Sequence, residues 1–330
     1  MKTYQTHPNA EVAAIADVDE KRLNAQKEEL GVPAGYASGE EMIEKENLDI
    51  VSVCTPNKFH KPLTMAALKA GCHVLCEKPM AMSAAEGREM VAAAEEAGRR
   101  LMINFSYRFT EQSFALKKQV DKGILGDVYF ARTMWHRRRG LPGFGGWFGQ
   151  KALSGGGPLI DLGVHRIDLA LWLMGYPTPV WVMGSAYNHL GTRIAREKGK
   201  VFDVEDLAAA LIKFDNGATL IAEASWAANI AEKELMETRL YGTEAGLVQR
   251  NVNETYEFEA EIYLEKDDCR YDMKLHPPVP AAERPMHHFV NCIVNDTPHM
   301  ATGEEGVIVM EILDSIYESA AKGEPVRIER

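Results

Sequence analysis

The 330-residue sequence predicts an α/β protein: a doubly wound parallel sheet over its first third, then an α/β domain built on a mostly antiparallel sheet. Three observations carry this reading. Up to residue 105, short apolar runs alternate with helical patterns, as parallel strands joined by crossover helices require. Beyond Arg108 the strand-like runs crowd together, and Asp215-Asn216-Gly217 sits between two of them as a hairpin turn. The composition, 46% hydrophobic and 26% charged, is that of a chain with a packed core and a solvated surface.

Each element follows from local pattern. Glu11–Ala16 is a β-branched and alanine run that ends at Asp17, Asp19–Leu30 is charged and helical, and Tyr36 marks a short strand. Glu40–Glu46 is a short helix, Asp49–Cys54 a buried strand, and Lys58–Ala70 a helix closed by Gly71. His73–Cys76 is the next strand, and Ser83–Ala97 is a helix with serine at its cap and Gly98 after its end. Leu101–Phe105 is the last strand of this rhythm, which divides the chain into domains 1–107 and 108–330. A helix over Thr110–Lys122 then leads into a strand at Asp127–Trp135, a glycine-rich loop from Gly140 to Gly157, and a helix from Pro158 to Met174. Strands are expected at Val180–Tyr187, Leu207–Phe214, Ala218–Trp226, Thr238–Tyr241 and Tyr256–Leu264, with helices Ala282–Asn295 and Glu304–Ala321 closing the chain.

Charge and cysteine usage narrow the function classes. A formal net charge of −11 repels phosphate backbones and disfavours nucleic acid. No apolar run approaches the ~20 residues that span a bilayer, and Met1–Val18 holds no continuous apolar stretch of the signal-peptide kind. Cys54, Cys72, Cys76, Cys269 and Cys292 lack Cys-x-x-Cys spacing, which points to reduced thiols in a cytoplasm and away from a zinc site.

A dinucleotide-binding fold of this kind opens with a strand and a Gly-x-Gly-x-x-Gly turn, whose amides and following helix N-terminus hold the pyrophosphate. That motif is absent from the 330 residues; the nearest cluster, Gly143 to Gly149, has the wrong spacing and follows the α/β part. Yet Asp17 ends an apolar strand, where a ribose-binding acid belongs. Such an acid lies about 20 residues beyond the glycines. Counting back from Asp17 leads before Met1, so the glycines are expected upstream, with Met1–His7 as the tail of the first crossover helix. The first strand normally lies mid-sheet, and without it two strands lose a common neighbour. The alternatives are a start assigned too late and a natural short form with altered function.

Three clusters carry chemistry. Thr55-Pro56-Asn57, with His60 beyond it, follows a strand, either as turn chemistry or as a cofactor-binding strand end. Glu77-Lys78-Pro79 follows the next strand; Lys78 is either a surface lysine or a donor pointing into a ligand crevice. Gly155-Gly156-Gly157 precedes a helix with Asp161 and His165 four apart, and Asp168 and Trp172 continue that stripe. A histidine beside a carboxylate is a natural proton acceptor for an alcohol under oxidation, although both residues can also be ordinary helix positions.

In order and spacing these motifs resemble the glucose–fructose oxidoreductase/inositol dehydrogenase (Gfo/Idh/MocA) family over nearly the whole chain. The resemblance implies a Rossmann domain, here lacking its first strand, and a C-terminal α/β domain with an open, mostly antiparallel sheet that commonly mediates dimers or tetramers. It implies hydride transfer between NAD, with NADP left open by Arg22, and a secondary alcohol of a sugar, sugar derivative or cyclitol. By matching position, Lys78, Asp161 and His165 would be catalytic. Asp17, Thr55, Pro56, Asn57, His60, Glu77, Lys78, Asn104 and Arg108 would line the cofactor. Two rival readings remain: an NAD-dependent glycosidase working through transient oxidation, and a non-catalytic short form. Many members carry Trp-Arg where this chain has Trp147-Phe148; Arg137, Arg138 and Arg139 would either replace that cation or form a basic edge.

Overall fold

The computed structural model describes residues 2–142, 146–279 and 282–329. Part of the Gly143 to Gly149 cluster therefore lies outside the described residues. The chain divides into two compact units, residues 1–104 with 283–307, and residues 105–282 with 308–330. A linear division at residue 107 does not anticipate the return of 283–307. The return is tied down by pairing at the last parallel strand: Ile103 N–H donates to Ala301 O at 2.8 Å, and Arg100 reaches Asp296 Oδ1 at 2.7 Å.

In the first unit, β1 (Ala14–Ala16) pairs in parallel with β2 (Ala34–Tyr36). Separately, β3 (Ile50–Val53), β4 (His73–Cys76) and β5 (Leu101–Ile103) form a three-stranded parallel sheet. No ladder joins β1 to β3 among the described residues, so the parallel sheet is in two pieces. Local chemistry explains the helices: Asp19 accepts from Lys21 and Arg22 amides to start Glu20–Leu30, and Gly31 ends it at φ 64°. Ser83 and Gly98 do the same for Ala84–Ala97.

The second unit is built on a nine-stranded sheet. Its strands are β6 (Val128–Arg137), β7 (Pro179–Tyr187), β8 (Leu207–Phe214), β9 (Thr219–Ser225), β10 (Glu234–Gly242), β11 (Ala245–Asn251), β12 (Phe258–Lys266), β13 (Cys269–Lys274) and β14 (Val326–Arg327). The order is β13-β12-β11-β10-β6-β9-β8-β7-β14, antiparallel throughout except for the β6–β9 pair. Asp215-Asn216-Gly217 makes the β8–β9 hairpin, with Gly217 at φ 86°. Burial alternates along β8, so one face meets the helix layer. The helix Val164–Met174 packs on β6 and β10 and is buried on nearly every side, as its apolar sequence demands.

The structure departs from the sequence pattern in several places. The expected helix from Pro158 begins with a π turn, Leu159–Gly163, before the regular helix. A helix at His189–Glu197 and strands β11 and β13 have no counterpart in the predicted elements. Every residue of the edge strand β13 is exposed, so it has no apolar alternation to read, and the 189–197 helix buries only Gly191 and Ala195.

Candidate active site

On the first unit, three parallel strands end side by side. Val53, Cys76 and Ile103 are in register, and the chain leaves them as Thr55-Pro56-Asn57, Glu77-Lys78 and Asn104. Carboxyl ends of parallel strands are where α/β sheets take ligands. Glu77 N–H donates to Val53 O at 2.9 Å and Asn104 N–H to Cys76 O at 2.7 Å, so the ladder continues one residue past the strands. Asn104 Nδ2 then donates to Glu77 Oε1 at 2.6 Å. His60, fully buried, spans the gap between loops, with Nε2 at 2.8 Å from Thr55 O and Nδ1 at 2.7 Å from Pro79 O. Burial pulls its pKa below the usual histidine range. Asn57, also buried, opens the turn Asn57–Phe59 directly after Pro56.

These residues suit parts of a dinucleotide. The Thr55 hydroxyl and Asn104 Oδ1 are buried without a hydrogen-bond partner among the described residues. Such groups fit the hydroxyls and carboxamide of a nicotinamide ribonucleoside, which would satisfy them. At the end of β1, Asp17 Oδ1 accepts from the Asp19 amide at 2.8 Å and Oδ2 lies 3.3 Å from Arg22 Nη1. No glycine-rich strand-to-helix turn for a pyrophosphate occurs among the described residues.

On the second unit, the Gly155–Gly157 run allows close approach to the chain's own atoms. A Cβ on Gly157 would overlap the Glu205 carbonyl oxygen, and one on Gly156 the Tyr317 hydroxyl. Buried Glu205 accepts from the amides of Gly157 (2.9 Å) and Leu159 (3.1 Å) and from Tyr317 OH (2.8 Å). It thereby caps the π turn and sets where Asp161 begins its path. Burial pushes the Glu205 carboxyl up against these donors. Gly157→Ala is expected to lower stability by about 1–3 kcal/mol through overpacking, read as a lower urea midpoint; an unchanged midpoint would contradict the close approach.

Within that π turn Asp161 Oδ2 accepts from Trp226 Nε1 at 3.0 Å, and Trp226 is itself fully buried. One turn on, the His165 ring stands edge-on to Tyr107 (5.0 Å, 63°) and tilted over Trp135 (6.0 Å, 39°). The imidazole is thus walled by two aromatic rings, one from the 106–109 turn and one from β6. Asp168, predicted to extend the same stripe, is bound elsewhere. It takes Arg108 Nη2 at 2.6 Å, Arg108 Nε at 3.0 Å and Tyr176 OH at 2.6 Å, with the Arg108 and Asp168 side chains buried and Tyr176 half-buried beside them. Arg108 lies beside the rings of Phe105, Trp172 and Tyr176. Its guanidinium therefore ties the 106–109 turn to the helix carrying His165.

Of the three arginines, Arg137 bonds Glu234 Oε1 (2.8 Å) and Tyr256 OH (2.7 Å), while Arg138 and Arg139 reach the carbonyls of Ala231 and Ala228. Trp147 and Phe148 stack on each other, and Phe148 meets Trp226 edge-on. His287 and His288 serve packing: His287 meets Thr3 O, and His288 accepts the Met300 amide. Sequence reasoning missed Trp226, Glu205, Tyr107 and Trp135. Trp226 and Asp161 are 65 residues apart, and no local pattern links them.

A unit on parallel strands with ligand-type strand ends, and a second unit on a mostly antiparallel sheet, have the make-up of a two-domain, nicotinamide-dependent oxidoreductase. The profile described as "Oxidoreductase family, NAD-binding Rossmann fold" matches residues 1–105, and that of the GFO/IDH/MocA C-terminal domain matches residues 114–248. The chain is 32% identical to the D-glucoside 3-dehydrogenase of Escherichia coli K12, over 98% of this chain and 92% of that protein. It is 31% identical to the myo-inositol 2-dehydrogenase of Thermotoga maritima, over 73% of this chain and 68% of that protein. The aldose-aldose oxidoreductase of Caulobacter crescentus, solved with glycerol, superposes at a TM-score of 0.83 with 26% identity, covering 99% of this chain and 94% of that one. The chain belongs to the Gfo/Idh/MocA oxidoreductase family.

Proposed function

We propose that this protein oxidises a secondary hydroxyl of a sugar, sugar derivative or cyclitol, with NAD preferred. The observation that carries the reading is the head of the Val164–Met174 helix, where His165 stands between aromatic walls and Asp161 is pinned by Trp226. Nicotinamide, when bound, supplies the hydride acceptor. His165 takes the proton of the reacting hydroxyl, and the walls hold its ring in one plane while excluding water. Asp161 binds and orients the substrate through one of its hydroxyls. Lys78, half-buried at the end of β4, donates to the hydroxyl and stabilises it as its proton leaves. Thr55, Asn57, Glu77 and Asn104 hold the nicotinamide end of the cofactor, Pro56 and His60 brace their loops, and Arg108 fixes the segment that follows Asn104. The sugar relatives support the substrate class, and the free cysteines without Cys-x-x-Cys spacing support a place in the cytoplasm. A homodimer or homotetramer is the assembly we assign to it.

The test is a panel of D-glucose, methyl glucosides and myo-inositol with NAD, followed at the NADH absorbance band. Reduction of NAD with at least one substrate is expected. Release of aglycone without net NADH would favour a glycosidase, and no turnover would remove the enzymatic reading. Asp17→Ser removes a carboxylate that repels a 2′-phosphate and leaves Arg22 to meet one. It should raise the NADP/NAD ratio of kcat/KM by at least about tenfold, ~1.4 kcal/mol; an unchanged ratio would place the ribose elsewhere.

A further inference from the structure

We propose that Arg166 is a positioning residue for His165, acting through the Tyr107 and Trp135 rings. The inference rests on the proton-accepting role given to His165 above.

Arg166 is fully buried, yet no carboxylate pairs with it among the described residues. Its guanidinium carbon lies 4.8 Å from the Tyr107 ring centroid, 5.1 Å from that of Phe258 and 5.7 Å from that of Trp135. One polar contact is made: Nη1 donates to Gln249 Oε1 at 3.0 Å, and Gln249 is held in turn by Ser113 Oγ at 2.6 Å. Nε and Nη2 find no acceptor among the described residues. Burial pulls the guanidinium down to about 10, which still leaves it charged at neutral pH. The contrast with Arg108, equally buried but paired with Asp168, is direct. A buried cation held mainly by ring faces is a costly choice for packing alone, since an apolar side chain would fill the same cage.

What the cage adjoins explains the choice. Two of its three rings, Tyr107 and Trp135, are the rings that wall His165. Trp135 is fixed by its indole N–H as well, where Nε1 donates to Glu234 Oε1 at 2.7 Å, an oxygen shared with Arg137 and Tyr256. Arg166 therefore lies against both walls, while Glu234 holds one of them by its indole N–H and Arg137 also lies over that ring. Its fixed positive charge also disfavours a second positive charge on the neighbouring imidazole. The other charged or titratable groups around this cluster are Tyr107, Arg137, Glu234, Tyr256 and, one turn back, Asp161. Glu234 pairs directly with Arg137 and Tyr256 and offsets the Arg166 charge only from a distance, so Arg166 is the cation of this cluster with no carboxylate in contact among the described residues.

The experiment follows the imidazole protons of the ten histidines by NMR titration of the full chain without cofactor, with the His165→Asn spectrum identifying the His165 signal. In Arg166→Met the His165 midpoint should rise by about one pH unit, and in Arg166→Lys, which keeps the charge, it should stay. With methyl glucoside and NAD as probes, Arg166→Met should lose about tenfold in kcat with KM little changed, and the acid limb of kcat/KM should move up by the same amount as the NMR midpoint. Urea unfolding should find Arg166→Met at least as stable as the parent, because an unpaired buried charge is gone. An unmoved His165 midpoint, or activity and stability falling together with the acid limb unmoved, would overturn the inference and make Arg166 a packing residue. Full activity in His165→Asn would instead overturn the proton-acceptor reading itself.

Discussion

His165→Asn is expected to lower kcat by on the order of 10²–10⁴, the contribution of a positioned proton acceptor. Asparagine keeps the approximate shape and a polar tip between Tyr107 and Trp135, so the walls need not collapse. It cannot accept a proton at any working pH. KM for the sugar and the affinity for NAD should therefore change little, because Asp161, Lys78 and the strand-end residues are untouched. The acid limb of the kcat profile should disappear with the group that titrates. Steady-state kinetics from pH 5 to 9 would check this, the range in which a histidine titrates unless shifted by about 2 units or more. A kcat within threefold of the parent would remove His165 from the proton path.

Asp168→Asn is expected to produce the largest loss of stability, about 3–5 kcal/mol, because it strands a buried guanidinium. Arg108 Nε and Nη2 both lie on the Asp168 carboxylate, and Tyr176 OH shares the same Oδ1, with both ionic side chains almost wholly out of solvent. Neutralising one partner leaves the other with its full desolvation penalty and a weaker acceptor. Replacing both, as Arg108→Met with Asp168→Leu, should recover much of the loss, since a matched apolar pair carries no such penalty. Urea unfolding of the single and double variants checks this. Equal losses in both would mean that packing rather than charge holds the cluster. Because the cluster ties the 106–109 turn to the His165 helix, Asp168→Asn should also broaden the His165 signal in NMR spectra.

Much of the first unit was legible in the sequence because its signals are local. Ser83 and Gly98 bracket one helix, Asp19 and Gly31 another, and the DIVSVC run could only be a buried strand. The residues proposed for chemistry were legible for a related reason: Lys78, Asp161 and His165 sit at fixed offsets from prolines and glycines that punctuate the chain. Their supports were not. Glu205 lies 48 residues from the Gly157 amide it binds, and Gln249 lies 83 from the guanidinium it meets. Asp168 looked like part of the His165 stripe, but the ion pair with Arg108 takes it into the core. The return of 283–307 to the first unit depends on pairing between Ile103 and Ala301, and no periodicity announces a partner that distant.

The division of the parallel sheet has a consequence for how tightly different parts of the first unit are held. The β1–β2 piece carries its own small apolar cluster, Ile15, Leu23, Leu30 and Val32, with Val12 against it. It shares no ladder with β3–β5 among the described residues. A segment with few buried side chains and one-sided strands opens at a lower free energy than the body around it. Asp17 stands on this segment, whereas Thr55, Glu77 and Asn104 stand on the firmer one. Capturing an adenosine ribose at Asp17 would then draw the looser segment into the ordered state, and part of the intrinsic affinity would be consumed in quenching its fluctuations. The affinity for a dinucleotide would accordingly track the local opening equilibrium of residues 12–36 more closely than it tracks the stability of the whole chain.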